Sequence, residues 1–148
     1  MKKIFVGILL TFTVIIAQAQ VPVDTNAPAA TAANVPATLG GVMKAMSATL
    51  KKITAQATDA SKNIDSAKLT EELIDMAKNS KNHIPKSIKD LPKDQLTVQQ
   101  EQYLKMIDEN IALQQELLAA FQNNDNTKAA DALNKINASK KEGHNAFK

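Results

Sequence analysis

The sequence predicts an all-α fold, specifically an antiparallel up-down-up-down four-helix bundle. Three observations carry this expectation. Between Leu39 and Phe147 apolar residues recur at three- and four-residue steps in four separate runs, no segment alternates apolar and polar residues as a strand would, and only one connection is fairly long. Short connections make consecutive helices antiparallel, which brings the first and last together as neighbours.

The residues before the bundle read as a leader. Lys2 and Lys3 precede an apolar run from Ile4 to Ile16, and Ala17-Gln18-Ala19 has the small-x-small pattern of a cleavage site. Residues 1–19 are therefore expected to be a signal peptide cleaved near Ala19, placing the mature protein in the periplasm. The apolar run is too short to favour a spanning helix, so no stable membrane insertion is expected after cleavage. Residues 20–37 are rich in Ala, Pro, Val, Asn and Thr, with Pro22, Pro28 and Pro36 interrupting any helix, and are expected to be a disordered spacer. The bundle is assigned to residues 38–148.

The first helix is marked by Leu39, Val42, Met43, Met46, Leu50 and Ile53 and is expected to end near Asn63; Gly40 and Gly41 weaken its first turn. The second is expected to be capped by Asp65 or Ser66, to carry Leu69, Leu73, Met76, Ala77 and Ile84, and to stop at Pro85. Residues 85–95 read as a loop. Thr97 and Gln100, in capping-box spacing, open the third helix. It runs to about Gln122 with Tyr103, Ile107, Ile111, Leu118 and Phe121 on its inner face and Leu117 on a flank. Asn110 and Gln114 also project there, as a water-bridged or mutually bonded pair. Asn123 to Asn126 form a turn. The fourth helix carries Ala129, Ala132, Leu133, Ile136, Lys140, His144 and Phe147 on one stripe.

Composition narrows the chemistry. The formal charge of the whole chain is +3, and loss of Lys2 and Lys3 with the leader leaves 3 − 2 = +1, so no nucleic-acid partner is expected. The chain has no cysteine, which excludes disulfides, thiolate metal sites and covalent C-x-x-C-H haem attachment. It has no arginine either, so no guanidinium clamp exists. The acidic residues Glu71, Glu72, Asp108, Glu109 and Glu116 lack the Glu-x-x-His partner of a di-iron site and read as solvated faces, and no enzymatic activity is expected.

Met43 near the start of the first helix and His144 near the end of the last fall on apolar stripes at the same end of such a bundle. With 1.5 Å of rise per residue their heights agree within a few ångströms. A thioether and an imidazole facing each other across an open bundle end suit the two axial positions of a haem iron. Tyr103, Met106 and Ile107 of the third helix and Ile84 of the second would line the slot, and Met46, one turn further in, is a competing cofactor-binding candidate. Taken singly, Met43 and Met46 read as core filler and His144 as a solvated side chain; the joint placement of Met43 and His144 is what points to a ligand pair. His83, beside a proline, reads as surface. Lys140 is misplaced on an inner stripe unless its ammonium reaches water or an anion.

From Leu39 to Lys148 the chain resembles the cytochrome b562 family. The resemblance is carried by Leu39-x3-Met43-x6-Leu50-x2-Ile53, by Leu73-x2-Met76, by Tyr103, by Asn123 through Ile136 with its Lys-Ala-Ala-Asp-Ala-Leu core, and by the ending His144-Asn-Ala-Phe147-Lys148. It implies a non-covalent b-type haem, with Met43 and His144 at the axial methionine and histidine and Tyr103 as a haem-packing aromatic. It implies single-electron transfer with periplasmic redox partners, and a monomer is expected. Three positions depart from the family pattern: Gly143 stands where the family has an aromatic before the histidine, Lys140 stands where the family has an arginine and would reach either a haem propionate or solvent, and Ile107 replaces a second packing aromatic. The rival readings are a haem-free periplasmic bundle acting as an interaction or stress protein, and haem carriage without redox work.

Overall fold

The computed structural model describes residues 36–147. The expected signal peptide and most of the 20–37 leader lie outside the described residues, as does Lys148. Four long helices form an all-α bundle: α1 (Leu39–Gln56), α2 (Asn63–Ser80), α4 (Lys93–Gln122) and α5 (Asn126–Phe147). A 3₁₀ turn (Ala60–Lys62) and a one-turn helix α3 (Lys86–Lys89) lie in the connections. No strand occurs among the described residues.

Helix boundaries follow local chemistry. Thr38, extended at φ −126°, caps α1 by accepting from the Gly41 backbone N–H at 3.2 Å. Gly41 is required there, because a Cβ would stand 2.6 Å from the Cβ of Pro36, which folds over the first turn. α1 ends at Gln56 rather than near Asn63, since Asp59 accepts from the Ser61 N–H at 3.0 Å and nucleates the 3₁₀ turn. α2 then begins at Asn63 with no side-chain cap. Ser66, expected as a cap, is buried inside the helix, and α2 stops at Ser80 rather than reaching Ile84. Pro85 and Pro92 sit at the N-caps of α3 and α4, where a missing N–H is harmless. Thr97 and Gln100 therefore lie within α4 and do not open it. α4 ends on a Schellman motif: Asn124 takes φ 55°, its N–H donates to Phe121 O at 3.0 Å, and Asp125 N–H donates to Ala120 O at 2.9 Å. Asp125 in turn caps α5 by accepting from Lys128 N–H at 3.0 Å.

α1 packs on α2, α2 on α4 and α4 on α5, while the backbones of α1 and α5 approach each other far less closely. The main core lies toward the two tight turns. Leu50, Ile53, Ala57, Leu73, Leu117, Ala120, Phe121, Ala129, Ala132, Leu133 and Ile136 form it. Leu117, expected on a flank, is fully buried, whereas Leu118 is only half-buried; the 3.6-residue period carries the stripe from Gln114 through Leu117 to Phe121. An asparagine cluster ties this end together. Asn63 Nδ2 donates to Asn124 Oδ1 at 3.0 Å and Asn126 Oδ1 at 3.1 Å, and Asn126 Nδ2 donates to Asn63 Oδ1 at 3.0 Å and Ala57 O at 2.7 Å. At the opposite end a smaller core of Ile88, Tyr103 and Ile107, with Ile84 and Phe147 against it, supports α4 and the end of α5.

Candidate cofactor site

Where α1 and α5 stand apart, a cleft of about 190 Å³, partly open to solvent, enters the bundle. α1 supplies one wall with Leu39, Met43, Met46, Ser47 and Leu50. α5 supplies the facing wall with Ile136, Ser139, Lys140, Gly143, His144 and Phe147. α4 forms the back with Tyr103, Met106, Ile107, Asn110 and Gln114, and Leu73, Ala77 and Ser80 of α2 close the remaining side. Of the residues singled out in the sequence, Met43, His144, Tyr103, Met106, Ile107, Met46 and Lys140 line this one cleft and Ile84 does not.

Their burial differs. Tyr103 and Ile107 are buried, Met43 and Met46 half-buried, and His144 and Lys140 exposed at the mouth. The imidazole and the ammonium are thus reachable from solvent, while the thioethers sit on an apolar wall. Among the described residues Lys140 is the only lysine on the lining, and no carboxylate accompanies it there. Its expected conflict with an inner stripe is resolved by position, since the stripe emerges into solvent at this level. His83, read as surface, is half-buried and lies outside the lining.

The end of α5 that carries His144 is pinned. The Phe147 ring meets Tyr103 edge-on, with centroids 5.4 Å apart and an interplanar angle of 85°. Ser87 Oγ donates to the Phe147 carbonyl at 2.9 Å, and Tyr103 Oη donates to Ser80 O at 3.3 Å. Burial pushes the Tyr103 phenol above its ordinary pKa, and the bond to Ser80 offsets part of this. Gly143 leaves the wall open beside His144: a Cβ there would find only Met106 Cε, at 4.0 Å.

Five polar residues of the lining, Ser47, Ser80, Asn110, Gln114 and Ser139, were not read as site residues. Asn110 and Gln114 are mutually bonded, Gln114 Nε2 donating to Asn110 Oδ1 at 2.6 Å, and Asn110 Nδ2 continues to Ser139 Oγ at 3.1 Å. Ser47 lies on the α1 wall. The signal available was that Asn110 and Gln114 interrupt the apolar stripe of α4 at helical spacing.

The residues fit a flat, largely apolar ligand with charged groups at one edge. Two walls bear neutral donors, the interior is mostly hydrocarbon, and a cation waits at the mouth. Such a fold and site define a ligand-carrying four-helix bundle, open between its first and last long helices. More particularly, the chain belongs to the cytochrome b562 family, whose family model matches residues 38–148; the family comprises haem-binding, electron-transferring helical bundles. Among curated proteins and among solved structures, no match to the chain is found.

Proposed function

We propose that this chain is a periplasmic electron carrier holding one non-covalent b-type haem between α1 and α5, with Met43 and His144 as axial ligands. The observation that carries the proposal is the placement of Met43 and His144 on facing walls of one open-mouthed cleft. Filled with interlocked aliphatic side chains, the same place would have favoured a haem-free bundle. The sequence of residues 1–19 supports export, and no helix among the described residues is long and apolar enough to cross a membrane.

In this reading His144 offers an imidazole nitrogen and Met43 a thioether sulfur, both uncharged. A haem held by both residues would be suited to electron transfer rather than oxygen chemistry. The bound haem supplies the one-electron couple. The apolar residues Leu39, Met46, Leu50 and Ile107 exclude water from the interior, and Lys140 answers the charge of carboxylates held at the mouth. Tyr103 and Phe147 hold the last turn of α5, and so His144, in register with α4. No residue is assigned a catalytic role.

The test is reconstitution of the purified protein with haemin. A sharp Soret band, low-spin α and β bands on reduction, and one haem per chain by pyridine haemochrome are expected. A protein that stays colourless refutes the proposal. Rapid loss of haem to an acceptor protein, without reversible reduction, would favour haem carriage.

A further inference from the structure

Gln114 is 1% exposed and lines the cleft, yet only one end of its amide is satisfied. Nε2 is bonded to Asn110, which is bonded to Ser139, while Oε1 is buried and has no hydrogen-bond partner among the described residues. A buried carbonyl oxygen without a donor is costly. Its apolar neighbours on the lining, Leu50, Leu73 and Ile136, have no side-chain donor to give.

The level of this atom matters. Along their helices Asn110 lies three residues deeper than Ile107, Ser47 four deeper than Met43 and Ser139 five deeper than His144. At 1.5 Å per residue these steps are about 5, 6 and 8 Å, with Gln114 about 10 Å deeper than Ile107. The cleft therefore carries the exposed Lys140 on its rim and, at its deep end among Leu50, Leu73 and Ile136, a bonded polar chain of Ser139, Asn110 and Gln114 that leaves one oxygen unsatisfied.

We infer that Gln114 makes the floor of the cleft selective for a macrocycle whose inner edge bears a hydroxyl group over one whose inner edge is bare hydrocarbon. The inference rests on the haem reading and specifies which edge chemistry that site prefers. A porphyrin with carboxylates keeps them in water at the mouth, because burying an unpaired charge is prohibitive, and so presents its opposite edge to the floor. A hydroxyl there donates to Gln114 Oε1. A vinyl or ethyl group leaves the oxygen orphaned. The chain Gln114–Asn110–Ser139 keeps its bonds if all its dipoles reverse and then ends in an N–H; a hydroxyl, both donor and acceptor, answers either end.

The experiment titrates the full-length apoprotein with two iron porphyrins that differ only at that edge. Iron mesoporphyrin carries ethyl groups and iron haematoporphyrin carries 1-hydroxyethyl groups, and binding is followed at the Soret band. The ratio of their dissociation constants in wild type should favour the hydroxyethyl compound by about three- to tenfold more than in Gln114→Met, the span of one net hydrogen bond. Gln114→Leu, read the same way, guards against a packing fault peculiar to methionine. Equal ratios in wild type and both variants overturn the inference while leaving the haem reading intact. If neither compound binds wild type, the haem reading itself fails and takes this one with it. A second measurement needs no ligand: Gln114→Met apoprotein should be close to wild type in urea, since removal of the orphan oxygen offsets loss of the bond to Asn110. A clear loss of stability would make Gln114 a structural tie and overturn the assignment.

Discussion

Asn63→Ala is the substitution whose cost follows most directly from the structure. Asn63 is 2% exposed and exchanges three hydrogen bonds with Asn124 and Asn126 across the turn end of the bundle. Each net bond contributes about 1 kcal/mol, giving about 3 kcal/mol in total. Two corrections reduce it. Asn124 is exposed, so its oxygen recovers a water, and alanine is the better helix former at the first position of α2 by a few tenths of a kcal/mol. Asn126 keeps its bond to Ala57 O, so its amide is not wholly orphaned. The expected destabilisation is about 2 kcal/mol, which for a domain of this size lowers Tm by about 8 °C. Urea unfolding of the apoprotein, followed by circular dichroism at constant m-value, measures it. The cluster lies at the end remote from the cleft, so haem binding to the folded variant should be unchanged. A loss below about 0.5 kcal/mol, within the range of an ordinary surface substitution, would refute the claim that this cluster closes the bundle.

Other outcomes follow from single positions. Gly143→Ala should stabilise the apoprotein by about 0.5 kcal/mol, because glycine is a poor helix former and the added Cβ meets only Met106 Cε at 4.0 Å; destabilisation in urea would show a clash the geometry does not contain. Asp59 is held below the usual carboxylate range by its bonds to Ser61, and Asp125 by its bonds to Lys128. Both folded-state pKa values are depressed, so the stability these groups give is present above about pH 4 and fades as pH falls through the lowered values. An Asp59→Asn, Asp125→Asn double variant should accordingly show a shallower acid limb in Tm against pH, and an unchanged limb would contradict the capping roles. Phe147→Ala should loosen the last turn of α5, seen as faster amide exchange at residues 140–147 with protection of α2 retained; uniform protection would deny the clasp.

Much of this was readable from residue spacing. The four apolar stripes gave the long helices, and the stripe positions of Met43 and His144 led to facing walls of one cleft because stripe and height are both periodic quantities. Helix ends were less legible. Asp59 and Ser61 close a 3₁₀ turn where a longer α1 was expected, and Pro92, not Thr97, starts α4, because several cap-competent residues stand close together and tertiary packing chooses among them. The run of asparagines from Asn123 to Asn126 announced a turn, but its reciprocal bonds to Asn63 join residues some sixty positions apart and have no local signature. The polar floor was half visible: Gln114 and Asn110 stood out on α4, whereas Ser47 and Ser139 are small enough to pass for ordinary members of an apolar face.

The central claim is that Met43 sulfur and His144 nitrogen serve one iron, and proton NMR of the reduced, haem-loaded protein tests it most directly. A methionine bound axially places its ε-methyl over the macrocycle, where ring current shifts it far upfield. One such resonance should be present in wild type and in Met46→Ala, be absent in Met43→Ala, and disappear with low-spin ligation in His144→Ala. A resonance that survives in Met43→Ala and vanishes in Met46→Ala, or a spectrum indifferent to His144, would contradict the account.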